Sequence, residues 1–142
     1  MRLIYRVCIS TILVAAIAAK AKAEPVTGKF EGTGRACYGT LTIQAKTISW
    51  LTPFSQCKSM SYALVSQDKQ NEQDRITYRL TSRSENCRFA VLSLTHSGPA
   101  ENTGWEVTGY GSEQSYLGDK SSGYTARNED MMSCYLVRNP GK

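Results

Sequence analysis

Strict alternation of polar and apolar residues is the dominant pattern of this chain. Arg75-Ile76-Thr77-Tyr78-Arg79-Leu80-Thr81 places every second side chain on one face, the period of a half-buried strand. Thr40-Leu41-Thr42-Ile43-Gln44 and Thr47-Ile48-Ser49-Trp50 alternate likewise. Ser61 to Gln67, Arg88 to His96, Trp105 to Ser112 and Cys134 to Arg138 are rich in β-branched and aromatic residues, and Lys29 to Gly34 is a weaker first strand. No segment beyond the N-terminal region carries the i, i+3, i+4, i+7 stripe of an amphipathic helix. The best place for a short helix is Ser55 to Met60.

The pattern predicts an all-β fold of about eight strands. Gln44-Ala45-Lys46 is a tight turn, Asp68 to Asp74 a polar loop, and Ser97 to Gly104 carries Gly, Pro and Asn. Short links between consecutive strands favour antiparallel neighbours. An antiparallel barrel or strongly curved meander follows, because curling removes exposed edges. A β-sandwich is the alternative.

The N-terminus is different. Arg2 and Arg6 precede an uncharged apolar run, Val7 to Ala19, and Ala21-Lys22-Ala23 supplies a small-x-small cleavage pattern. The run has 13 residues, against the roughly 20 needed to span a bilayer. Residues 1–23 therefore read as a cleavable secretory signal, and 24–142 as one exported domain, periplasmic or secreted, with no membrane span after cleavage. Cys8 lies within the signal and is not a lipidation site. The absence of any N-x-[ST] acceptor leans towards a bacterial source.

Cleavage changes the charge. Arg2, Arg6, Lys20 and Lys22 belong to the signal, so 17 Lys+Arg against 12 Asp+Glu becomes 13 against 12. No basic run remains to suggest nucleic-acid binding.

Cleavage also leaves four cysteines, Cys37, Cys57, Cys87 and Cys134. An even number in an exported domain reads as two disulfides. A zinc site needs close ligand pairs, whereas these spacings are 20, 30 and 47 residues. In a meander each even-numbered strand starts at the same pole, and each cysteine stands near the start of one. All four are expected at one pole. Pairing in chain order, Cys37–Cys57 with Cys87–Cys134, requires the least crossing. Cys57–Cys87 with Cys37–Cys134 is the rival.

Catalytic and cofactor signatures are missing: no G-x-S-x-G, P-loop or H-E-x-x-H occurs. No metal or other cofactor is expected. His96, the one histidine, reads as a solvent-facing residue at a turn. Glu129-Asp130 reads as part of a solvated loop, not the facing carboxylates of a glycosidase. Trp50, Tyr62, Tyr78, Phe89 and Trp105 sit at strand positions and are expected in the core, although a wide barrel could line a ligand cavity with some of them.

The cysteine pole is also expected to carry the two long loops, Leu51 to Met60 and Gly111 to Ser133. The second holds Tyr116, Tyr124 and Arg127 among Ser and Gly, a composition suited to recognition. Phe54 is expected to join them. The first expectation is a non-enzymatic binding protein engaging another protein there, as an inhibitor or immunity protein would. The alternative is a carrier of a small apolar ligand inside the barrel.

In general layout the chain resembles the lipocalins, but Lys29-Phe30-Glu31-Gly32 stands where their G-x-W signature belongs. It is similar to the periplasmic inhibitors of c-type lysozyme in being a small disulfide-bearing β-barrel, but Ser122-Gly123-Tyr124 lacks the spacer of their S-G-x-x-Y loop. These likenesses are architectural and imply no function.

Overall fold

The computed structural model describes residues 25–99 and 101–140. The expected signal peptide lies outside the described residues. Eight antiparallel strands run in chain order around a closed barrel: β1 (Gly28–Gly32), β2 (Gly39–Ile43), β3 (Thr47–Thr52), β4 (Ser55–Gln70), β5 (Gln73–Leu80), β6 (Val91–Ser97), β7 (Gly104–Tyr110) and β8 (Met131–Arg138). One helix, α1 (Glu113–Ser121), is inserted between β7 and β8. Closure is made by three β1–β8 pairs, Phe30 with Arg138, Glu31 with Val137 and Gly32 with Leu136.

Alternation points one face of each strand into the barrel. Phe30, Leu41, Ile48, Trp50, Tyr78, Leu92, Leu94, Val107 and Leu136 are completely buried and fill its interior. Trp50, Tyr78, Phe89 and Trp105 are in the core as expected, and Tyr62 packs against it, edge-on to Tyr78 with ring centroids 5.0 Å apart.

Ser55 to Met60 is not a helix. It is the first part of β4, which is 16 residues long. Ser55, Cys57 and Met60 face inward, and Ser59 takes a positive φ of 48° where the β3–β4 register shifts. That bulge turns an inward spacing of two into three, which imitates helical periodicity. The helix lies instead within the segment expected to be a long loop. Ser112 caps its N-terminus by accepting the Ser115 N–H at 3.1 Å. Only Tyr116 and Asp119 of α1 are buried, and one is charged, so no apolar stripe announces it.

The four cysteines do gather at one pole, but they pair as Cys37–Cys134 and Cys57–Cys87, with Cα–Cα distances of 5.5 and 4.4 Å. Chain-order pairing is therefore incorrect. It treats the meander as open. In the closed barrel β8 lies beside β1, so Cys134 meets the β1–β2 connection that carries Cys37. Cys57, at the start of β4, meets the β5–β6 connection that carries Cys87. A chain-order pair would have to reach across β3 in one case and β7 in the other.

The β5–β6 connection plugs this pole. Phe89 stacks on Trp50 with ring centroids 5.0 Å apart. Phe89 can settle there because Gly109 faces it: a Cβ at that position would stand 2.6 Å from the Phe89 ring. A backbone bond from Gln56 N–H to Asn86 O at 2.7 Å and a bond from Arg88 N–H to the Ser55 hydroxyl at 3.0 Å seal the plug.

The disulfides close loops with sequence separations of 97 and 30 residues. Loop-closure entropy gives contributions of about 4.7 and about 3.7 kcal/mol respectively. Peptide mapping of the unreduced protein should recover these two pairs. Denaturant titration should show Cys37→Ala/Cys134→Ala to be the more destabilised double variant.

Candidate functional site

Among the described residues the opposite pole stays open. A cavity of about 950 Å³ occupies it, formed by the segment leading into β1, the start of β5, the end of β6, the β6–β7 connection and the end of β8. Its wall carries Val26, Trp105 and Pro140 as apolar groups, and Lys29, Asp74, His96, Asn102 and Arg138 as polar ones.

Strand parity delivers these side chains. On β6, Leu92 and Leu94 face inward, and His96 is the next inward position. On β5 the inward set Leu80, Tyr78 and Ile76 continues to Asp74, which pairs across the ladder with His96. On β8, Leu136 continues to Arg138, which pairs with Phe30 of β1. The apolar run ends and the same inward face becomes polar. His96 is thus not a solvent-facing turn residue. It is 7% exposed, its ring lies 4.8 Å from that of Trp105, and Nε2 stands 2.6 Å from the Asn102 carbonyl. A carbonyl only accepts, so Nε2 carries the proton. In the neutral ring Nδ1 is then left as an acceptor.

Arg138 is exposed at the rim of the mouth and tethered there by two contacts. Its guanidinium donates to the Thr27 carbonyl and lies 5.8 Å from the Phe30 ring centroid. Gly28 leaves it room, since a Cβ there would stand 3.0 Å from Nε. Below the mouth, the Tyr78 hydroxyl accepts the Val26 N–H at 3.0 Å and anchors the entry segment. Burial pushes the Tyr78 pKa up to about 12, against a smaller lowering by that hydrogen bond.

The residues expected to form a recognition loop are dispersed. Tyr116 is 2% exposed and cannot meet a partner: its ring packs edge-on to Tyr110, 5.5 Å away, on the outer barrel wall. Tyr110 also donates its hydroxyl to Asp119 at 2.7 Å, and Asp119 accepts the Ala126 N–H at 2.9 Å. This cluster folds α1 down as a strut. Tyr124 is half-buried, with a positive φ of 63° and the Arg75 guanidinium 3.3 Å above its ring. They border a smaller outer cavity of about 440 Å³. Arg127 is exposed, and Phe54 is exposed at the disulfide pole beside the β3–β4 turn. Of the acidic pair, Asp130 is a structural brace: it accepts hydroxyls from Ser112 and Ser115 at 3.1 and 2.6 Å.

No family model, curated protein or solved structure matches the chain. Among the described residues no group of three His, Cys, Asp or Glu side chains is placed to hold a metal ion.

Two outcomes follow from these interactions. Tyr110→Phe leaves the buried Asp119 short of a donor, and chemical denaturation should show a loss of about 1–3 kcal/mol. Tyr78 has a folded pKa of about 12, above the unfolded value of 10. The folded state holds the proton that the unfolded state releases. Its contribution is complete below pH 10 and is lost as pH rises towards 12, so urea midpoints should fall across that window.

Proposed function

We propose that this chain is an exported, non-enzymatic binding protein whose site is the open mouth of the barrel. The cavity of about 950 Å³ at the unplugged pole carries this reading. That volume is in the range of small-molecule sites, which are concave, largely apolar and supplied with a few fixed polar groups. The mouth has that make-up. Trp105 and Val26 offer apolar contact, Arg138 offers donors, and Asp74 offers acceptors. All but Val26 are strand positions, so the site is built on rigid elements.

Two disulfides and the lack of any membrane-crossing helix among the described residues are consistent with export. Among the residues described at the mouth, His96 Nε2 is committed to a backbone carbonyl, which supports a binding role for this histidine. The apolar-carrier expectation moves outward: the barrel interior is occupied by side chains, and space for a ligand lies at its end.

A second reading, a protein partner at the disulfide pole, retains Phe54 and Arg127. It gains Tyr38, which is 72% exposed on the β1–β2 connection, against 57% for Phe54.

A naphthalene sulfonate dye separates the two. Its fluorescence should rise on binding the wild-type protein. Thr103→Trp, which sets a bulky ring at the rim of the mouth, should weaken binding about tenfold, some 1.4 kcal/mol. Tyr38→Ser/Phe54→Ala should leave it unchanged. The reverse pattern would assign the site to the disulfide pole.

A further inference from the structure

The lining of the mouth has one uncompensated charge, and it selects a ligand class. Lys29 is 3.5 Å from Glu31, and Asp74 is 3.6 Å from Lys69. Arg138 has no acidic partner among the described residues. Its side chain faces inward from the end of β8, and its guanidinium spends one N–H bond on the Thr27 carbonyl. A guanidinium has five N–H donors in a rigid fork, a shape that matches a carboxylate in two parallel bonds. Gly28 keeps the space this fork occupies, and its φ of +144° disfavours any other residue there.

We infer that the mouth takes a small monoanionic carboxylate with a planar apolar body, anchored through Arg138. This rests on the mouth being the ligand site. The body lies against Trp105 and Val26, where contact with water is already low: Trp105 is 8% exposed. A single charge is favoured over a dianionic phosphate because Asp74 shares the lining and repels a second negative charge. A long acyl chain has no room to continue inward, since Phe30, Tyr78 and Leu136 fill the barrel beneath.

Naphthoate, naphthamide and inorganic phosphate are the probes, titrated into the disulfide-bonded protein and followed by backbone amide shifts. Naphthoate should move the amides of residues 26–29, 102–105 and 136–139, and bind about tenfold more tightly than the neutral amide, one charge-assisted pair's worth. Arg138→Gln should abolish that preference, with naphthamide still moving the mouth amides. Gly28→Ala, which displaces the guanidinium without removing it, should lower naphthoate affinity in the same direction. Equal affinity for acid and amide, a preference that survives Arg138→Gln, or phosphate binding as well as naphthoate would overturn the carboxylate assignment and leave the mouth site standing. If neither naphthalene compound moves the mouth amides, the mouth reading itself fails.

Discussion

Pairing between the first and last strands organises the rest of this molecule. Three β1–β8 residue pairs convert a meander into a cylinder. A meander of this length would expose two edges with unpaired backbone groups, and closure removes them. Closure also decides the disulfides, because it carries Cys134 around to the β1–β2 connection. It decides the mouth in the same step. Arg138 stands beside Phe30 and Gly28 only because β8 lies against β1.

The two ends of the cylinder are finished differently. At the disulfide pole Phe89, Trp50 and the β5–β6 connection form a plug, and the crosslinks hold the connections that make it. At the other pole β5, β6 and β8 carry polar residues at their last inward positions, and nothing among the described residues covers them. Filling the barrel from one end leaves the free space of its interior face at the other. Outside the wall, α1 is fastened by a buried carboxylate. Taking Asp119 out of water is costly, and the Tyr110 hydroxyl and Ala126 N–H offset that cost by satisfying it. The same cluster consumes Tyr116, so the segment that looks like a recognition loop is a structural strut.

The mouth is preorganised by the same backbone that holds the core. Asp74, His96, Trp105 and Arg138 sit on strands whose other inward residues are buried. On the proposed reading, a ligand there meets His96 and Trp105 already buried and restricted, which lowers the ordering cost of binding. The charges are unequal in kind. Those of Lys29 and Asp74 are met by neighbours, and that of Arg138 has no acidic partner among the described residues.

Strand number, antiparallel order, the core aromatics and the gathering of four cysteines at one pole were all legible in the chain, because alternation and short links are local properties. The mouth was legible in part. Parity counted outward from Leu94, Ile76 and Leu136 leads to His96, Asp74 and Arg138, yet each of these alone reads as a polar residue at a strand end. Other features depend on contacts distant in sequence. The bulge at Ser59 disguised β4, since a register shift is set by the partner strand and not by the residues that undergo it. α1 escaped notice because its buried face is one tyrosine and one aspartate, and the aspartate is tolerable only where Tyr110 meets it. The disulfide pairing and the location of the open pole were decided by tertiary structure alone, since both follow from which strands become neighbours when the sheet closes on itself.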